Sequence, residues 1–357
     1  MYVEEYRMMN MGDREVAVLY DLYTFRALTT EQIREKHFAN SRGYVDQVLF
    51  RLRKEGFIKT STVANSRPGR KGYSCHRLTE KGVDCLLTQK IKVDTPIQNL
   101  YVKPQQMNYL LMFNELAMKL GNTEWKVMDS RSVKKRYNLD ARSNIQGLVI
   151  DTAGIEYGVY ILNETSKHQT IGKIRSEIMT NRTTLPNYYV LAKGMGSYTS
   201  FREYGMKKRI RQVNNRPVEI EPINTTGKVK LAPYTATLNR MMAYENDEDW
   251  LYTLSKYHDF KIISTEKQKD RQSFPVVVNY RGRDYYFVDM TDFDFSAFQQ
   301  IKLYKQHDYD WERKPLLIHT LQPNFIDLEK EIPESELITH LKMNRDDYGE
   351  ISHIVSM

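Results

Sequence analysis

TTEQIREKHFANSRGYVDQVLFRLRKEGFIKTSTVANSRPGRKGYSCHRLTEKG, from Thr29 to Gly82, is the stretch that decides the fold. Thr29 with Gln32 three residues on is a capping-box pattern, and it opens a short helix through Ile33 to Phe38. After the polar turn Ala39 to Ser41, Ser41 is placed to cap a third helix with a buried stripe of Val45, Val48, Leu49 and Leu52. Gly56 stands where a left-handed C-terminal residue is wanted. FIKTSTVA (57–64) alternates and is rich in Thr and Val, so it reads as a strand, with YSCHRL (73–78) as its partner. Between them, Ser66 to Gly72 holds three cations, two glycines and a proline, which makes this basic loop the tip of a β-hairpin.

Working outward, Val16, Leu19, Tyr20 and Tyr23 recur at helical spacing and predict a first helix with that apolar face. TEKGVDCLL restarts a helix at Thr79. Residues 1–90 therefore read as a winged helix-turn-helix. The exposed positions of its third helix are Arg42, Tyr44, Gln47 and Arg51, and Arg67, Arg70 and Lys71 project from the wing. Arg and Gln side chains suit guanine and adenine edges, and a loop held by paired strands presents charge to phosphates at little ordering cost. The alternative is a protein-interaction module whose charges serve solubility.

Charge points the same way. The formal total is +8, but residues 1–90 carry +5, residues 91–240 carry +11 and residues 241–357 carry −8. Double-stranded DNA as partner is expected along the first two thirds, and a basic protein or a second copy at the acidic last third. No run of eighteen apolar residues marks a membrane span, and the acids Glu4 and Glu5 argue against a secretion signal. Two cysteines, Cys75 and Cys85, cannot build a disulfide framework or a zinc site alone, so a reduced cytoplasmic setting is expected.

Residues 91–104, with two prolines and no clear period, read as a linker to a second, α/β domain over 105–240. It opens with the apolar helix MNYLLMFNELAMKL and a strand at Trp125 to Met128, then a basic loop Arg131 to Arg136. Two strands follow, Gln146 to Asp151 and Glu156 to Asn163, turning at Ala153-Gly154, and then a helix from His168 and the strand NYYVLAK. Strand, hairpin, helix, strand, with acids at strand ends, is similar to the PD-(D/E)XK nuclease-like fold. With the wing and HRLTEKG in front, and with Asp140, the hairpin GLVIDTAGIEYGVYILNET and the amphipathic helix after it, residues 13–195 resemble the replication-relaxation family of plasmid proteins and related mobilisation accessory proteins. That resemblance implies a double-stranded-DNA-binding factor for plasmid replication, relaxation or transfer.

Were this domain a nuclease, Asp140, Asp151 and Glu164 would hold Mg or Mn and Lys167 would face the attacking water. Lys167 follows Glu164 by three residues, whereas the nuclease motif has a spacing of two, which in a strand points to opposite faces. No cofactor is otherwise expected. Lys207, Lys208 and Arg209, just after Tyr198, Phe201 and Tyr204, form the densest basic stretch and suit a phosphate-tracking surface as well as a solvated helix end. In the acidic α/β region 241–357, FPVVVNYRGRDYYFVDM, a helix from Ser296 and PLLIHTL repeat the order of the middle domain, a candidate degenerate duplicate. Its Asp289, Asp292 and Asp294 are expected to cap that helix in solvent. The chain is thus expected to be α+β: a winged helix-turn-helix, a nuclease-like α/β domain, and that domain's duplicate in the C-terminal third. The expected role is a non-catalytic, site-specific DNA-binding assembly factor of a plasmid, phage or integrative element, with homodimerisation compatible. The alternatives are a metal-dependent endonuclease or nickase and a transcriptional repressor.

Overall fold

The computed structural model describes residues 11–39, 41, 43–63, 71–213, 216–266, 272–321 and 328–353, and the chain divides into two compact units, Met1–Met118 and Lys119–Met357. The first unit opens with α1 (Asp13–Phe25), the short strand β1 (Leu28–Thr29), α2 (Thr30–His37) and α3 (Tyr44–Lys54). Strands β2 (Ile58–Val63) and β3 (Tyr73–Leu78), α4 (Glu80–Thr88), a 3-10 turn at Ile97–Leu100 and α5 (Pro104–Leu120) follow. β1 and β2 both pair antiparallel with β3, in the order β1-β3-β2. Alternation along β2 and β3 gives the sheet two covered faces. Ile58 and Leu78 pack with Val18, Leu22, Val48 and Leu52 of the helices, whereas Val63 and Cys75 pack with Met107, Leu110 and Leu111 of α5.

The apolar face of α1 differs from the expected one. Val18, Leu19 and Leu22 are buried while Tyr20 is exposed, and two buried carboxylates, Glu15 and Asp21, interrupt the stripe and hide its period. Residues 91–104 are not a free linker either. Leu100 and Val102 are buried, and the Thr95 amide donates to the Tyr23 hydroxyl at 2.7 Å. On α5 the Asn114 amide group donates to the carbonyls of Phe25 (2.9 Å) and Ala27 (2.7 Å). These bonds draw α5 into the first unit, so the division falls at residues 118 and 119 rather than near 90.

The second unit continues with β4 (Lys126–Asp129), α6 (Ser130–Arg136), β5 (Gly147–Ile150), β6 (Glu156–Leu162), α7 (His168–Thr180) and β7 (Tyr188–Ala192). Then come α8 (Met195–Met206), β8 (Arg209–Val213), β9 (Arg216–Ile220), β10 (Val229–Pro233) and α9 (Tyr234–Ala243). Its later half holds α10 (Asp247–Tyr257), β11 (Lys261–Ser264), β12 (Val277–Tyr280), β13 (Arg283–Asp289), β14 (Phe293–Asp294) and α11 (Phe295–Leu303). The described residues end with α12 (Gln306–Glu312), β15 (Leu316–Leu321), α13 (Leu328–Glu331), β16 (Ile338–Met343) and α14 (Arg345–His353). The basic stretch 131–136, expected as a loop, is helical because the Asp129 carboxylate accepts from the Arg131 and Ser132 amides and Val133 is fully buried.

Two sheets run through this unit, in the orders β14-β10-β7-β6-β5-β4 and β11-β12-β13-β15-β16. Counted from β4 and from β11, the first four pairs of both run antiparallel, antiparallel, parallel, parallel, and the first sheet adds the antiparallel pair β10–β14. Each has helix between its third and fourth strands, α7 in one and α11 with α12 in the other. The hairpins differ at the turn. Arg281 and Gly282, both at positive φ, close the later one in two residues, and Asp151 closes the earlier one by accepting from the Ile155 amide at 2.8 Å. The expected border at residue 240 is not a domain border. β14 pairs with β10, and one core cluster joins Tyr160, Val190 and Leu231 to Phe287, Leu317 and Met343.

Of the acids expected in solvent, Asp292 and Asp294 are buried and Asp289 is half-buried. Asp294 does cap α11, accepting from the Ser296 and Ala297 amides, but it is buried, as is Asp292, which pairs with buried Arg240. Asp289 accepts from the Trp250 indole (2.8 Å), Thr291 and His319. Among the described residues, no helix is long and apolar enough to cross a membrane. Removing one half of a buried ion pair strands the other charge, so Arg240→Ala is expected to cost the second unit about 3–5 kcal/mol in denaturant unfolding, and R240L/D292L clearly less.

Candidate nucleic-acid interface

The α3 helix is fixed at both ends. At its C-terminus Gly56 takes φ +80°, its amide donates to Arg53 and the Phe57 amide donates to Leu52, which closes a Schellman cap. At its N-terminus the expected Ser41 cap is absent. Gly43 holds that position, and the Ser41 amide instead donates to Phe38 (2.9 Å) to close the turn from α2. The capping box of Thr29 and Gln32 forms as expected, and the Gln32 side-chain amide also donates to the Leu111 carbonyl of α5.

Val45, Val48, Leu49 and Leu52 are buried, as the spacing predicts. At 100° per residue, the line opposite that stripe runs through Gln47, Phe50 and Lys54, all exposed, with Phe50 56% exposed. Arg53 lies over the Phe50 ring at 5.6 Å, and Asp46 adds one negative charge to this surface. Tyr44 and Arg51 are exposed, as expected, but sit at the flanks: Tyr44 packs edge-on to Phe38 at 5.7 Å, and Arg51 pairs with the buried Glu15 of α1. Lys71 is exposed at the start of the return strand. Arg42, Arg67 and Arg70 lie outside the described residues.

Residues with no sequence signal hold this surface in place. Asp21 of α1 accepts from Lys36 (2.8 Å) and His37 (2.6 Å) on α2. Burial works to raise the Asp21 carboxyl, but the bonds from His37 and Lys36 outweigh it and keep the group below its ordinary value. His76 of β3 is bonded through one ring nitrogen to Thr30 and through the other to Thr60, each at 2.9 Å. Burial, helped by Arg53, lowers its pKa to about 4.

Residues 19–147 match the replication-relaxation family. The resemblance seen in the sequence is borne out over this segment, and no curated protein and no solved structure matches the chain. The replication-relaxation segment starts inside α1 and ends on the first residue of β5. It takes in α3, the β2–β3 hairpin and α6, and also Asp140, whereas Asp151, Glu164 and Lys167 lie beyond it.

The nuclease candidates do not converge. Asp151 precedes β6 and Glu164 follows it, so seven residues of strand, roughly 20 Å, separate them. Asp151 is committed to the hairpin turn; Asp140 is exposed and accepts from the Arg142 amide. Lys167 is exposed at the N-cap of α7. Among the described residues no three His, Cys, Asp or Glu form a metal-ligand group, so these positions do not fit Mg or Mn together. Of the later basic stretch, Lys207 is exposed, Lys208 is bridged by Glu219 (2.7 Å) and Glu221 (3.4 Å), and the Arg209 side chain lies outside the described residues. Lys208 thus shares its charge with acids in and just after the paired strand.

Arg51→Ala strands the buried Glu15 carboxylate, so it is expected to destabilise the first unit by about 1–3 kcal/mol while Lys54→Ala stays near neutral, read by amide hydrogen exchange in residues 11–118. A histidine whose folded pKa lies below its unfolded value favours folding above the unfolded value of about 6.5 and loses that contribution as pH falls towards 4. The first unit should therefore weaken by about 2–3 kcal/mol over that window, and less so in His76→Gln.

Proposed function

We propose that the protein is a sequence-specific double-stranded-DNA-binding factor of a mobile element, acting in its replication or in relaxation and transfer as a non-catalytic assembly factor. The family match over residues 19–147 supports a replication-related role. The observation that carries DNA binding is the outward line Gln47–Phe50–Lys54 on α3, with the β2–β3 hairpin following directly in the chain. In this reading the first unit is a winged helix-turn-helix: α3 enters the major groove, Gln47 reads an adenine edge, Lys54 takes a phosphate, and the hairpin tip follows the backbone. A homodimer would present two such helices to a two-fold site, and the acidic region 241–357 suits a basic protein partner. The second unit is proposed to be a duplicated nuclease-like fold kept for assembly, supported by the shared pairing sense of its two sheets and by the separation of Asp151 from Glu164.

One observation supports a repressor as second reading. A cavity of 690 Å³ in the second unit, lined by Trp250, Phe274 and Phe287 with Lys230, Asp247 and Asp294, is of ligand size.

The test is anisotropy titration of duplexes selected from a random pool, across a salt series. Lys54→Ala should weaken all duplexes evenly and lower the salt slope by about one, and Gln47→Ala should cost about 1–3 kcal/mol at the selected site and relax one position. Wild-type titrations from both variants would remove the DNA reading.

A further inference from the structure

The sheet of the first unit carries cations on the face turned away from α3. Lys59 of β2 and Arg77 of β3 are direct cross-strand partners. By alternation they share the face of Val63 and Cys75, which packs on α5, and not that of Ile58 and Leu78, which packs with Val48 and Leu52 of α3. Like charges directly opposite each other destabilise an antiparallel pair. Beside them is a cavity of 360 Å³, lined also by Arg26, Lys81, Glu80 and Tyr101. The Lys81 ammonium lies 5.0 Å over the Phe57 ring. The Nε–H of Arg77 is buried and meets no acceptor among the described residues. A buried donor left without an acceptor is costly, and here it lies within a group that repels its own neighbours. The repulsion between the Lys59 and Arg77 side chains is relieved by an anion held between them in the cavity.

We propose that this cavity is a binding site for a phosphoryl group, held between Lys59 and Arg77. A tetrahedral phosphate offers acceptor oxygens in several directions at once and can take bonds from both strands, and guanidinium with ammonium is the donor pair suited to it. The site uses neither α3 nor the hairpin tip, so it stands independently of the DNA reading. The phosphoryl group can come from a free phosphate or nucleotide, or from the backbone of a duplex.

The experiment is thermal unfolding of the full chain in inorganic phosphate, with chloride and acetate at matched ionic strength and pH. Phosphate alone should raise the midpoint of the first unit's transition in a saturable way, and Lys59→Ala and Arg77→Gln should abolish the rise. Lys59 is exposed and its removal relieves repulsion, so Lys59→Ala reports on the site even if Arg77→Gln folds poorly. An equal rise in wild type and Lys59→Ala, or a rise matched by acetate, would overturn the proposal. Repeating the series with ATP and with a short duplex separates the sources. Loss of the ATP shift with unchanged duplex affinity identifies a free ligand, and a duplex salt slope lowered by about one identifies a backbone phosphate; either outcome supports the site.

Discussion

The buried carboxylates of α1 are the constraint on which the first unit depends. Glu15 and Asp21 lie on the buried side of that helix, where a lone ionised carboxylate could not stay. Each is neutralised by a different neighbour, Glu15 by Arg51 of α3, Asp21 by Lys36 and His37 of α2. Apolar packing alone leaves helices free to slide by small amounts at little cost. A buried charge allows few arrangements, because any slip that parts the pair exposes the desolvation penalty. The angle at which α3 is offered is therefore set by electrostatics across the helix bundle as much as by Val45, Val48 and Leu52.

The second unit also places charge at the seam between its halves, with Lys230, Arg240 and Asp292 buried. The β10 strand pairs with β14, and ion pairs gather at that join. Lys228 and Lys230 both reach Asp247, at 2.7 Å, and Arg240 pairs with Asp292. Burial works against charge on Lys230, but Asp247 outweighs it and holds the ammonium well above its ordinary value. The two sheets share the pairing sense of their first four pairs. The polar seam, with Phe293 and Phe295 beside it in the core, makes them one body.

How much of this could be read from the sequence follows from the range of each interaction. The capping box at Thr29, the glycine at 56 and the buried stripe of α3 involve residues within a turn of one another, and all three form as expected. A central strand such as YYVLA, continuous in apolar residues, announces its burial on both faces. What the sequence conceals is partnership at a distance. Arg51 looks like a free reader until Glu15, 36 positions earlier, is known to face it. Lys208 looks like part of a basic patch until β9 brings Glu219 and Glu221 round to it. Asp151 and Glu164 seem neighbours in the chain, yet a strand lies between them and carries them to opposite ends of a sheet. Asp289, Asp292 and Asp294 look like a solvated acidic run because the cations and donors that pair with Asp289 and Asp292 come from α9, α10 and β15. Sequence spacing reports charge and period well, and reports pairing poorly.

The excess positive charge of the first ninety residues is divided by the sheet that it decorates. Alternation at β2 sends Thr60 to one face, where it bonds His76, and Lys59 to the other, against Arg77. On the helix side His76 is buried and satisfied by the hydroxyls of Thr30 and Thr60, and the cation on the outward line of α3 is Lys54. On the α5 side the cations are next to each other and next to the buried guanidinium nitrogen. A surface made only for solubility would spread its charges to lower their repulsion. Holding Lys59 and Arg77 in register across a ladder does the opposite, and the ladder cannot slip by one residue to relieve it without turning Ile58 and Leu78 out of the core.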